Sequence, residues 1–289
     1  MSKIAIITDS SCDLPKDLVA RLGVSVVPLR VIYKSGEFRD GIDIEAADIY
    51  ERLEIEVPTT SMPSPEDIYA TFEKVRSEGF THCLVISVSS GLSGTYNTFK
   101  LIANEFDDLH IHVIDSKYLS WALGYQVIEA SKLVREKLDF GEIVQKIEAM
   151  KKQISAYFVV DTLEYLKAGG RIGRVSALFG SMLNVKPIIS VDDDGTYFPL
   201  TVARGKKQAM KKLYQLVQEH VDSAKASIAI VQGRAEKEAE ALADRIRQLG
   251  DNISDIYVGT VSPALVVHAG PGLVGLIIKD ESKSPLLSR

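Results

Sequence analysis

Short apolar, β-branched runs alternate with segments of helical period through the first half of the chain, and this alternation restricts the possible folds more than any other feature. KIAIITD precedes PKDLVARLG, VSVVPLRVIY precedes IEAADIYERL, HCLVISV precedes YNTFKLIANEF, and LHIHVIDS precedes a helical stretch running to Leu138. Such alternation predicts parallel strands joined by crossover helices. The runs are almost continuously apolar, as strands are when helices cover both faces of a sheet.

Beyond the amphipathic segment EIVQKIEAMKKQI (residues 142–154) the texture changes to shorter elements separated by glycines. The expected division is an N-terminal α/β domain over residues 1–154 and a C-terminal α/β domain over residues 155–289. The second part reads as a strand AYFVVDT, a KAGGRIG turn, a helix RVSALFGSML, and a hairpin of VKPIISV and TYFPLTVA around DDDG, whose glycine supplies a positive φ. A helix over residues 206–221, the strand ASIAIVQG, the helix EKEAEALADRIRQLG and the strands SDIYVGTV and LVGLIIKD complete a mixed sheet. The fold class is therefore α/β, with a mostly parallel first sheet and a mixed second one. A cleft between the two is the default ligand site.

A formal net charge of -5 gives no basic footprint, so nucleic acid is not an expected partner. Cys12 and Cys83 form neither a C-x-x-C pair nor a zinc pattern and read as buried, reduced thiols. MSKIAIITDS lacks a signal peptide's apolar core, and no run approaches a membrane span. The chain is expected to be cytoplasmic.

Four polar or glycine-rich loops adjoin apolar runs: TDSSCDL, PTTSMPS, SSGLSGTYNT and HAGPGLVG. Loops at the C-terminal ends of parallel strands gather at one edge of a sheet, where they can form one site. SSGLSGTYNT (residues 89–98) joins a strand to a helix, combining hydroxyl donors with the unpaired N–H groups of a helix N-terminus, which suit a carboxylate, phosphate or oxyanion. In TDSSCDL, either Asp9 and Ser10 face the ligand or Ser11 or Asp13 caps the helix begun by Pro15. Prolines around PTTS hold an extended segment and leave Thr59, Thr60 and Ser61 as its adjustable polar groups; Ser64 reads as a helix N-cap.

Nucleophilic, nucleotide and metal chemistry each fail a specific requirement. Around Ser93 the window Gly91-Leu92-Ser93-Gly94-Thr95 fails the G-x-S-x-G elbow, with a glycine one place early and threonine where the last glycine belongs. A serine esterase or thioesterase using Ser93 and His268 remains the alternative reading. Residues 270–275 match G-x-G-x-x-G but lead into a strand rather than opening a helix, and no Walker sequence occurs. The hydroxyl loops leave a sugar- or ketone-phosphate enzyme as a third possibility. His110 and His112 share a strand face without a third ligand, so no metal is expected.

TDSS, PTTS, SSGLSGTY, LEYLKAGGRIG, Lys186-Pro187, VARGKKQA and HAGPG occur in one order across the whole chain. This set resembles the DegV family, fatty-acid-binding proteins that include the FakB subunit of bacterial fatty acid kinase. The resemblance implies a two-domain DegV-like fold, one long-chain fatty acid in a buried tunnel, and a separate FakA-like kinase subunit that converts the bound acid to acyl phosphate. It implies no catalytic residue in this chain and no cofactor. Carried over by motif, Thr60 and Ser93 would contact the carboxylate, while Ser61, Gly94, Arg204 and His268 would lie near the headgroup or the kinase-docking face. Cys12 after TDSS and Met62 after PTTS depart from the commoner pattern and leave the acyl preference open.

Overall fold

The computed structural model describes residues 2–178 and 185–282. In chain order the first part comprises β1 (Ile4–Asp9), α1 (Lys16–Leu22), β2 (Val24–Val27), β3 (Arg30–Tyr33), β4 (Gly36–Arg39) and α2 (Ala46–Arg52). β5 (Thr59–Ser61), α3 (Pro65–Ser77), β6 (His82–Ser87), α4 (Thr95–Ala103), β7 (His110–Asp115), α5 (Ser120–Arg135) and α6 (Phe140–Met150) follow. Then come β8 (Ile154–Val159), α7 (Glu164–Ala168), β9 (Val185–Val191), β10 (Tyr197–Arg204) and α8 (Gly205–Val221). β11 (Ala226–Gly233), α9 (Glu236–Arg247), β12 (Ile253–Thr260), α10 (Pro263–Ala269) and β13 (Leu273–Asp280) complete the described elements.

The first sheet is four-stranded and parallel, in the order β2-β1-β6-β7. From β1 the chain moves to β2 on one side and later to β6 on the other. This creates a switch point at the C-terminal ends of β1 and β6, where the TDSSCDL and SSGLSG loops emerge. Helix α5 is buried along most of its length, which explains its weak amphipathic pattern.

VSVVPLRVIY does not form one strand. Pro28, having no backbone N–H, ends the parallel pairing, and the chain turns into β3 of a separate antiparallel sheet ordered β4-β3-β5. The PTTS segment supplies β5, so Thr60 is held by pairing opposite Val31 rather than lying in a free loop.

The third sheet is six-stranded and mixed, in the order β10-β9-β8-β13-β11-β12. β9 and β10 form the expected hairpin, and Gly195 in its turn has φ +78°. The helix expected over RVSALFGSML is a 3-10 segment at Gly173–Leu178, where short-range turns follow the glycine-rich stretch; the rest of it lies outside the described residues. One buried apolar cluster spans both parts, including Leu84 and Ile86 of the parallel sheet and Val231 and Ile277 of the mixed one. Both cysteines are free and buried, with no disulfide between them.

Candidate functional site: an apolar cavity with a few polar groups

A cavity of about 990 Å³, including its mouth, lies between the switch point of the parallel sheet and one face of the mixed sheet. Its wall is mostly apolar, with Leu29, Leu92, Leu166, Phe158 and Ile277 among the contributors. The polar wall groups include Thr60, Ser61, Ser93, Arg171 and His268. All four expected loops therefore contribute hydroxyl or imidazole residues to one cavity, TDSSCDL through Ser11.

Thr60 Oγ1 lies 2.7 Å from His268 Nε2. Burial, assisted by the charge of Arg171, pulls the His268 pKa down to about 4, so the ring is neutral at pH 7. Nδ1 is buried without a hydrogen-bond partner, with Gly169 packed so closely that a β-carbon there would overlap it. An orphaned N–H is costlier than an under-used lone pair, which places the proton on Nε2. The imidazole then donates to Thr60 Oγ1, and the threonine hydroxyl proton is available to a ligand in the cavity.

Ser93 stands one residue before Gly94, the N-cap of α4. Its Oγ pairs with Thr95 Oγ1 at 2.8 Å and accepts from the Thr95 N–H at 3.3 Å. When Thr95 donates, the Ser93 proton is free to turn toward an acceptor near the positive end of the helix. Gly94 packs under Met62, whose sulfur would overlap a β-carbon at that position. Met62 is 38% exposed, so a flexible thioether sits beside this loop.

Arg171, in the KAGGRIG segment, belongs to the cavity wall and was not singled out by the sequence reading. Nε donates to the Leu92 carbonyl at 3.1 Å and Nη1 to the Gly169 carbonyl at 2.6 Å, leaving Nη2 without a protein partner among the described residues. The guanidinium thus ties the SSGLSG loop to the turn that supports His268. An arginine directly after a glycine pair was the available signal, but only the fold brings it to Leu92. Arg204 is exposed at the start of α8 and does not line the cavity.

The TDSSCDL loop follows neither expected pattern. Pro15 occupies the N-cap of α1 without side-chain capping, so neither Ser11 nor Asp13 fills that role. Asp9 accepts from the Ser11 and Val88 N–H groups, and Ser10 donates to Asp40 at 2.5 Å; neither Asp9 nor Ser10 lines the cavity. Asp13 accepts from the Ser120 hydroxyl at 2.5 Å and the Ser262 N–H at 2.8 Å, while Asp40 accepts from the Ala264 N–H at 2.9 Å. Two carboxylates therefore hold the first turn of the helix that carries His268. Burial raises Asp13 to about 7 and Asp40 to about 6.

The DDDG turn has a packing role besides closing its hairpin. Ser89 Oγ donates to the Gly195 carbonyl at 2.8 Å, seating the turn on the SSGLSG loop. His110 and His112 are exposed, and no group of three or more potential metal ligands occurs among the described residues. No helix among them is long and apolar enough to cross a membrane.

Residues 3–281 match the sequence model of the family described as "Uncharacterised protein, DegV family". The chain belongs to the DegV family. A DegV domain-containing protein of Clostridium perfringens is 43% identical over 281 residues, covering 97% of this chain and 100% of that one. A DegV-family protein from Thermus thermophilus, described by its fatty acid binding, has a solved structure similar at a TM-score of 0.91 and 31% identity, covering 96% of this chain and 99% of that one. DegV of Bacillus subtilis, described as a fatty acid binding protein, gives a TM-score of 0.90 at 27% identity, with 97% and 100% covered. The α/β architecture, with its parallel and mixed sheets, is thus the DegV fold.

Proposed function

We propose that this DegV-family protein holds one long-chain fatty acid in the apolar cavity, with its carboxylate at Thr60 and Ser93. The observation that carries the reading is the composition of the cavity wall: an extensive apolar surface with hydroxyls, a neutral histidine and an arginine among it. Fatty acid binding described for the Thermus and Bacillus relatives supports it. Burial of about a dozen methylenes offers on the order of 10 kcal/mol before ordering and association costs, so the tail dominates affinity.

The carboxylate is then presented to a FakA-like kinase subunit, which phosphorylates it to an acyl phosphate for phospholipid synthesis in the cytoplasm. Hydroxyl donors suit this role because they hold the carboxylate without the charge balance of a fully buried ion pair, which would resist conversion. Arg171 adds a positive charge, but it is only half-buried and shares its donors with two carbonyls. Ser61, Gly94 and the exposed Arg204 belong to the headgroup surroundings or the face the kinase meets.

The esterase alternative is disfavoured by the partners of its two key residues. Ser93 pairs with Thr95, His268 pairs with Thr60, and no carboxylate reaches His268 Nδ1 to orient it. The deciding experiment is denaturation of the purified protein followed by mass spectrometry of the released lipid. Near-stoichiometric long-chain fatty acid is expected; its absence, with no rebinding after delipidation, would sink the reading.

A further inference from the structure

The register of the mixed sheet specifies the floor over which an acyl tail would lie. β13 leaves the turn that follows His268, so position along it measures depth from the headgroup. Leu273, Gly275 and Ile277 belong to the cavity wall, whereas Val274, Leu276 and Ile278 pack into the core on the opposite face. From Leu273 to Ile277 the strand advances about 13 Å, the reach of about ten extended methylenes.

Across the strands, Gly275 lies between Phe158 and Val231, and Ile277 lies between Ala156 and Ala229. Large and small side chains thus alternate on the cavity face, with Gly275 and Ala156 diagonal to each other between Phe158 and Ile277. The β8–β9 register, continued by one residue, sets Val191 beside Ala156, and Val191 pairs with Tyr197. Tyr197 is buried and packs edge-on against Phe158 with ring centroids 5.0 Å apart. At Gly275 the place of a side chain is filled by the neighbouring Val231 methyl, so the low position on this face is Ala156, which Val191 and Tyr197 close.

We infer that Ala156 gauges acyl length: the tail crosses the sheet over Gly275 and Val231 and ends over Ala156 against Val191 and Tyr197. The inference rests on the fatty-acid reading above. Larger side chains at Ala156 shorten the chamber, and a smaller one at Val191 lengthens it. Neither change touches the carboxylate donors, so each alters the dependence of affinity on chain length rather than the affinity common to all lengths.

The test measures binding of a saturated series from dodecanoic to eicosanoic acid to the delipidated protein, Ala156→Leu and Val191→Ala. For Ala156→Leu, octadecanoic acid should lose about tenfold relative to dodecanoic acid, as expected when a few methylenes are displaced. Val191→Ala should shift the preference toward the longest acids, a gain that misfolding cannot imitate and that keeps the test decisive if Ala156→Leu does not fold. An unchanged length profile in Val191→Ala, or an equal loss at every length in Ala156→Leu, would overturn the gauge while leaving the fatty-acid reading in place. Failure of the unmodified chain to bind any acid would overturn that reading and the gauge with it.

Discussion

Thr60 Oγ1 meets His268 Nε2 at 2.7 Å although 208 residues separate them. Folding lowers the His268 pKa from 6.5 to about 4, so the unfolded chain takes up this proton first. The contribution is fully present above about pH 6.5 and is lost as pH falls toward 4, with a maximum of about 3 kcal/mol. His268→Gln removes this dependence. The difference in melting temperature between the parent protein and His268→Gln should narrow as pH falls from 7 to about 4; a constant difference would contradict a neutral buried ring.

Asp13 has the opposite sign. Its carboxyl is raised from 3.8 to about 7, so the folded state retains the proton more strongly and stability falls as pH rises through that interval. Asp13→Asn keeps an acceptor for the Ser262 N–H without the titrating charge. Its stability relative to the parent protein should improve between pH 4 and about 7, as read from urea midpoints.

On the proposed reading, Thr60→Val combined with Ser93→Ala reduces phosphorylation of the bound acid by a FakA-like kinase more than it reduces lipid retention. A hydroxyl hydrogen bond is worth about 1 kcal/mol, against the far larger burial of an acyl tail. Comparing released lipid with acyl phosphate yield checks this. An equal loss of both would contradict the division between tail affinity and headgroup presentation.

Arg171→Gln should weaken binding of the free acid by about tenfold, the worth of a charge-assisted hydrogen bond, and reduce its salt dependence. The methyl ester of the same acid should bind both proteins alike. Equal weakening for acid and ester would assign Arg171 to loop support alone.

The strand and helix alternation was legible because the parallel sheet is covered on both faces, and each of its strands appears as an apolar run. VSVVPLRVIY was less legible: the run is continuous in hydropathy, yet Pro28 divides it between two sheets. Convergence of Thr60, Ser93 and His268 followed from loop placement and family motifs. Arg171 escaped notice because its importance depends on the Leu92 carbonyl, 79 residues earlier in the chain. The support of α10 by Asp13 and Asp40 was equally hidden: Asp13, shortly before Pro15, reads locally as a helix cap, and Asp40 lies 224 residues from the Ala264 N–H it accepts.

β13 lies between β8 and β11 in the mixed sheet, although both partners precede it in the chain. During synthesis, therefore, the middle place in that sheet stays vacant until after β12 and α10 have been made. Gly275 and Ile277 arrive after Thr60, Ser93, Arg171 and His268, so a nascent chain can carry the polar groups of the cavity before it has the cavity floor. The cavity is closed only by this last strand, and a chain stalled within α10 would lack that part of its wall.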